Sequence, residues 1–249
     1  MDTLGIITYN ACHLRTEQVL LQLVGQYDIR VYALPFVQRP VRTVLFQHRP
    51  DQSAAVHPRD ICLRYGLPYI PVESDTQIDN RCGLYLVTGA GILSEECVRG
   101  KRILNGHPGV IPAVRGLDAF KWSIYHMLPL GVTLHYIDEQ VDVGEVVSIV
   151  PTPVFPSDTL ETLARRHYEN EIQVYINFSE HLKHPNNPFD GIAQGESHRR
   201  MKAEQEAELQ ERFEQYKRWK ISPIENTSGG QIPPQGGHYR DLFREGEPH

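Results

Sequence analysis

The chain opens on Leu4-Gly5-Ile6-Ile7-Thr8-Tyr9, a short apolar run of the kind that fills a strand buried on both faces. Residues 16–26 follow with Val19, Leu20, Leu23 and Val24 at helical spacing. Ile29-Arg30-Val31-Tyr32-Ala33-Leu34 is again strand-like. Strand, helix, strand is the opening of an α/β unit with a parallel sheet.

Working outward, 43–46 is a further short strand candidate, 58–65 a short helix, and 68–72 an extended segment. The alternation resumes with a strand at 83–88, followed at once by Gly89-Ala90-Gly91. Strands are expected at 103–105, 132–136 and 145–150, and a helix at 118–126. Asp158, with Glu161 three residues on, has the pattern of an N-cap for a helix over 159–182. His184-Pro185-Asn186-Asn187-Pro188 then breaks the helix.

The composition shifts near Lys183. Residues 198–220 are dense in charge, with opposite signs three or four apart, as on an exposed helix. Leu209, Phe213, Tyr216 and Trp219 nevertheless form a narrow apolar stripe. The segment is therefore expected to dock on the core or on a second subunit, outside the catalytic centre. Residues 223–248, rich in Gly and Pro, are expected to be irregular. This divides the chain into 1–182, a catalytic domain, and 183–249, a C-terminal extension.

The 249 residues carry a net charge of −6 with 40% hydrophobic residues, an ordinary globular balance. That argues against a generally basic nucleic-acid binder or a partner of anionic membranes. Apolar runs fall short of the roughly 20 residues of a membrane span. The start, Met1-Asp2-Thr3-Leu4, has no basic leader, so cytoplasmic residence is expected. Cys12, Cys62, Cys82 and Cys97 form no C-x-x-C pair, and the histidines form no H-E-x-x-H helix. No metal site is expected.

Chemistry concentrates between Ile103 and Val147. Asn105-Gly106-His107-Pro108-Gly109 is followed by Pro112, Gly131-Val132-Thr133-Leu134-His135, and Asp142-Val143-Gly144. Asp142 follows Asn105 by 37 residues, room for a helix and a strand that return it to the same sheet edge in a parallel fold. Asn105 and His107, two apart, share a face of an extended backbone. An amide beside an imidazole can hold a developing oxyanion and handle a proton, and a nearby carboxylate favours the imidazolium. No Ser or Cys nucleophile lies beside them, which suits direct acyl transfer to a substrate nucleophile. Gly89-Ala90-Gly91 invites an alternative as an NAD-dependent oxidoreductase, but the last position of G-x-G-x-x-G is Ser94. A non-catalytic binding protein is a further alternative; such a scaffold needs neither Asn105, His107 nor Asp142.

Over 84–182 this pattern resembles the formyltransferases that use 10-formyltetrahydrofolate. The matching residues are Asn105, His107, Pro108, Pro112, Gly131, Thr133, His135, Asp142 and Gly144, with Gly91-Ile92-Leu93-Ser94 like the family's pterin-side segment. The resemblance implies a Rossmann-like core, a mostly parallel sheet flanked by helices with a C-terminal helical extension. It implies Asn105, His107 and Asp142 as catalytic. Asn105 and His107 would stabilise the formyl oxyanion and move protons, and Asp142 would orient or charge His107. It implies Gly91, Ile92, Leu93, Val141, Val143 and Gly144 around the pterin, and no metal. Two departures narrow the acceptor. Residues 8–13, Thr-Tyr-Asn-Ala-Cys-His, lack the glycines of the phosphate loop in glycinamide ribonucleotide formyltransferases. The tail has no β-barrel pattern of the methionyl-tRNA enzymes. The His-Pro-Gly form is more like the enzymes of nucleotide-linked amino sugars. The acceptor expected is thus a small-molecule amine, first a nucleotide sugar and second an amino-acid derivative such as hydroxyornithine, with a homodimer as the assembly.

Overall fold

In the computed structural model, which describes residues 3–37, 43–138 and 144–221, strands and helices alternate as the apolar patterning predicts. The first half comprises β1 (Thr3–Tyr9), α1 (Leu14–Leu23), β2 (Asp28–Leu34), α2 (Pro58–Tyr65), β3 (Tyr69–Pro71), β4 (Leu84–Val87) and α3 (Glu95–Val98). Then come β5 (Ile103–His107), β6 (Arg115–Gly116), α4 (Ala119–Tyr125), β7 (Gly131–Tyr136), β8 (Val146–Pro151) and α5 (Leu160–Ile176). The chain continues through α6 (Phe178–Lys183), β9 (Ser197–His198), α7 (Ala203–Ala207) and α8 (Leu209–Ile221).

The sheet has seven strands in the order β3-β2-β1-β4-β5-β7-β8, parallel from β3 to β5. Strand order reverses at β1/β4, where a doubly wound sheet opens its binding crevice. Both faces are covered, so the central strands are apolar without alternation: Ile6 faces the cluster of Leu20 and Tyr175, and Ile7 that of Tyr32 and Cys97.

Several local readings are corrected. Residues 43–46 form no strand. The N-cap of α5 is Thr159 rather than Asp158: Thr159 Oγ1 accepts from Thr162 N and Thr162 Oγ1 from Thr159 N. Asp158 instead accepts from Phe155 N at 2.8 Å and pairs with Arg166. The helix expected over 159–182 breaks at Asn177 into α5 and α6.

The charge-dense segment is two helices. Its apolar stripe is not exposed: Leu209, Phe213 and Tyr216 are completely buried beside Phe120, Ile124, Leu130 and Leu163, while Trp219 stays partly exposed. Burial of each contributes roughly 1.5–3 kcal/mol, enough to hold a helix too polar to stand alone. Tyr216 adds a hydrogen bond to Leu128 O at 2.9 Å. Residues 223–248, expected to be irregular, lie outside the described residues. Among the described residues no helix is long and apolar enough to cross a membrane.

Candidate active site

Strand β5 ends in Asn105-Gly106-His107, and extension places the two polar side chains on one face with Gly106 on the other. Gly106 is required there: an added Cβ would sit 2.7 Å from Tyr175 Cε2. The Tyr175 hydroxyl accepts from Gly106 N at 2.8 Å and lies 2.6 Å from Val87 O and 3.1 Å from Asn105 Oδ1, to either of which it can donate.

Across the sheet Asn105 pairs with His135, and Asn105 Nδ2 lies 3.2 Å from His135 Nε2. His135 Nδ1 is 3.1 Å from Tyr136 O, a carbonyl that can only accept. That puts the ring proton on Nδ1 and makes Nε2 the acceptor for Asn105. The amide is thus fixed in orientation, with its second Nδ2 proton left for a ligand.

His107 is buried, and its Nε2 donates to Val114 O at 3.0 Å, which fixes the orientation of the ring. The Pro108–Pro112 loop wraps this imidazole; a Cβ on Gly109 would lie 2.8 Å from Nε2. Two side chains hold the loop. Thr133 Oγ1 donates to Gly109 O at 2.6 Å and accepts from Ile111 N at 3.1 Å. His167 Nε2 donates to Pro108 O at 3.2 Å while its Nδ1 accepts from Thr152 Oγ1 at 2.8 Å. Burial is the main cause that lowers His167 to about 4, so it is neutral near pH 7.

The strand that precedes Asp142 does not run parallel to β5, as a wholly parallel fold would have it. Strand β7 is antiparallel to β5, so its end at Tyr136 lies beside Leu104, at the start of β5, rather than at the carboxyl edge. Asp142, Val141 and Val143 lie outside the described residues. Gly144 is described, and a Cβ there would overlap Tyr136 O.

Gly91, Ile92 and Leu93 line a cavity of about 430 Å³ with Tyr9, Pro35 and Asp75. Ile92 is 83% exposed, an apolar side chain offered to whatever enters. Asp75 fixes the segment by accepting from Ser94 N at 2.5 Å and Ser94 Oγ at 2.9 Å. Helix α3 is four residues long and begins only after Ser94, so the glycines at 89 and 91 do not open a dinucleotide-binding helix.

On the α1/α5 side stands a charged group that sequence reasoning missed. Glu171 is completely buried and binds Arg15 Nη1 at 2.5 Å and Arg49 Nη2. Arg15 Nε also donates to Thr88 O at 2.6 Å, just past β4. Burial opposes the charge of Glu171, but Arg49 and Arg15 outweigh it and hold the carboxyl below its ordinary value. His167, Glu171 and Tyr175 recur every four residues on α5, a polar line inside an apolar stripe. That spacing is the signal that could have found all three. Among the described residues no group of three His, Cys, Asp or Glu could hold a metal ion.

Residues 86–178 match the family described as formyl transferase. The phosphoribosylglycinamide formyltransferase of Haemophilus influenzae is 35% identical over 79 residues, 30% of this chain and 35% of that protein. That of Bacillus subtilis is 33% identical over 89 residues, 35% of this chain and 46% of that protein. The alignments thus span between a third and a half of these curated relatives. A sugar N-formyltransferase structure from Shewanella sp. superposes with a TM-score of 0.56 at 16% identity, covering 86% of this chain and 88% of the other. Residues 86–178 are thus similar to the formyl transferase family, and the chain shares the Rossmann-like fold of the solved formyltransferase structures.

Proposed function

We propose that the protein transfers a formyl group from 10-formyltetrahydrofolate to a primary amine of a small molecule by direct attack through a tetrahedral intermediate. The observation that carries this is the fixed amide of Asn105, held by His135 and Tyr175 with one N–H to spare, two residues from a buried His107 whose ring is fixed on Val114 O. A fixed donor aimed where charge develops is worth far more than a mobile one. Asn105 would hold the oxyanion, His107 would steady it and take up or relay the amine proton, and Asp142 would orient or charge His107. The folate supplies the electrophilic formyl carbon. Gly91, Ile92 and Leu93 would hold its pterin with Val141, Val143 and Gly144, and the apolar cavity that the first three line is compatible with a flat ring.

The preferred acceptor is a nucleotide-linked amino sugar. Three backbone N–H groups at the start of α1, where a phosphate loop would present donors, are already taken: Leu14 N by Gln52 O at 2.8 Å, Arg15 N by Gln52 Oε1 at 3.2 Å, and Thr16 N by His13 Nδ1 at 3.4 Å. This speaks against glycinamide ribonucleotide bound as in a glycine-rich loop. Residues 1–182 are proposed as the catalytic domain of a cytoplasmic homodimer, which light scattering on the purified protein would test.

The test is incubation with 10-formyltetrahydrofolate and a panel of amino sugar nucleotides, hydroxyornithine and glycinamide ribonucleotide, read as a mass gain of one formyl group. Asn105→Ala, His107→Ala and Asp142→Ala should each lower turnover about 10²-fold or more. Near-normal turnover in a folded His107→Ala protein would overturn the assignment.

A further inference from the structure

Glu171 has two arginines where one would neutralise it, so the cluster carries a surplus positive charge. Neither arginine is sealed: the side chain of Arg15 is 13% exposed and that of Arg49 25%. Arg49 spends only Nη2 on Glu171 and lines a cavity of about 440 Å³ between α1, α5 and residues 47–50, with Gln18, Gln47, Tyr168 and Gln173. Its Nε and Nη1 have donors to give.

The strap that carries Arg49 has no regular structure, yet it is pinned at both ends. Leu45 N donates to Glu206 Oε2 at 2.7 Å, and Glu206 is itself tied to Lys121. Gln52 is held by the start of α1 through Leu14 and Arg15. Arg49 lies over the Tyr168 ring, 5.8 Å from its centroid. Three histidines sense the potential: burial first, then charges that include Arg49, lower His13 to about 3, His167 to about 4 and His48 well below its ordinary value. The cavity rim carries Glu161, Glu169 and Arg165, the last two within 3.9 Å of each other. Arg15 joins this cluster to the proposed reaction centre, since its guanidinium lies over Tyr175, 5.4 Å from the ring centroid, and Tyr175 reaches Asn105.

We propose that Arg49, backed by Arg15, receives an anionic group, phosphoryl or carboxylate, of the molecule to be formylated. The inference rests on the formyl-transfer reading for the identity of that molecule, but not for the binding itself. Because the first turn of α1 is occupied by Gln52 and His13, recognition falls to guanidinium donors rather than helix amides. Anchored arginines that are already ordered lose little freedom on binding.

The test is calorimetric titration of the full chain with inorganic pyrophosphate, inorganic phosphate and acetate. Wild type should bind at least one of them, and Arg49→Met should weaken that binding about tenfold or more, with Arg49→Lys between the two. A preference for phosphate over acetate, or the reverse, names the group on the acceptor. In wild type the assigned Arg49 Nε–H resonance should shift on addition of the preferred anion, a readout that needs no variant. The proposal is overturned if no anion binds, if Arg49→Met binds as wild type does, or if only surface arginines such as Arg59, Arg81 and Arg99 shift. Anion binding at Arg49 in a protein that formylates no amine sustains the subsite and overturns the reaction. Formyl transfer without an anion at Arg49 does the reverse.

Discussion

Two carboxylates, Glu171 and Glu206, are buried in different parts of the molecule and serve different ends. Glu206, 4% exposed on α7, faces Lys121 on α4, whose side chain is 1% exposed, and the Leu45 amide. Its carboxylate and the Lys121 ammonium are both buried, and its work is to join the C-terminal helices to the core and to the strap at 45–50. Glu171 on α5 is as deeply buried, but one of its arginines, Arg49, lines a cavity with donors unspent. A sealed ion pair fixes geometry, whereas one whose cations reach solvent can also bind. The difference lies in what surrounds the carboxylate rather than in the carboxylate itself.

The largest effect should come from the sealed site. Glu206→Ala leaves the Lys121 ammonium buried without this partner and should cost about 3–5 kcal/mol in urea denaturation. Lys121→Met with Glu206→Met should recover most of that loss, because two apolar groups replace two buried charges. A Glu206→Ala cost no larger than that of a surface substitution would erase the contrast.

Acid should act next, and mostly on the Glu171 side. His167 is held neutral with its pKa lowered from 6.5 to about 4, so the unfolded chain takes up the proton first. Its contribution is complete above pH 6.5 and is lost as pH falls through about 4, amounting to about 3 kcal/mol. His13, lowered to about 3, acts in the same direction and extends the loss further into acid. Glu171, held low by its arginines, adds to the loss from its ordinary value downward, where the unfolded carboxylate takes up a proton before the folded one does. His167→Gln should flatten the decline between pH 6.5 and 4, measured as urea stability across that interval.

Arg49→Met should cost less than about 2 kcal/mol, since Arg15 still neutralises Glu171. If it proves as damaging as Glu206→Ala, both clusters are structural and the comparison fails. Smallest of all, Arg165→Ala at the cavity rim removes a pair separated by 3.9 Å between largely exposed side chains. It should change stability by less than about 0.5 kcal/mol.

Much of the architecture was legible because burial on both faces writes itself into strands as unbroken apolar runs, as in β1 and β4. Asn105, His107, Thr133 and His135 were legible as a motif, and the structure brings them together: His135 orients Asn105, and Thr133 holds the loop over His107. The α8 stripe was visible and its docking was expected from it, but the surface it docks on was not, because a narrow stripe fits the core or a second subunit equally well. The direction of β7 was not legible because a spacing between motifs carries no strand direction. Hydrogen bonding to β5 decides it.

The amino-acid sequence by itself determined the alternation of strands and helices and the polar residues at the end of β5, since both follow from local periodicity. Only the tertiary structure decided that Arg15, Arg49 and Glu171 meet, being separated by 34 and 122 residues along the chain. Likewise it alone tied Glu206 to Leu45. Such pairings cost loop-closure entropy that no local pattern encodes, and they form because folding has already brought α1, α5 and the strap together around a charge that cannot be left unpaired.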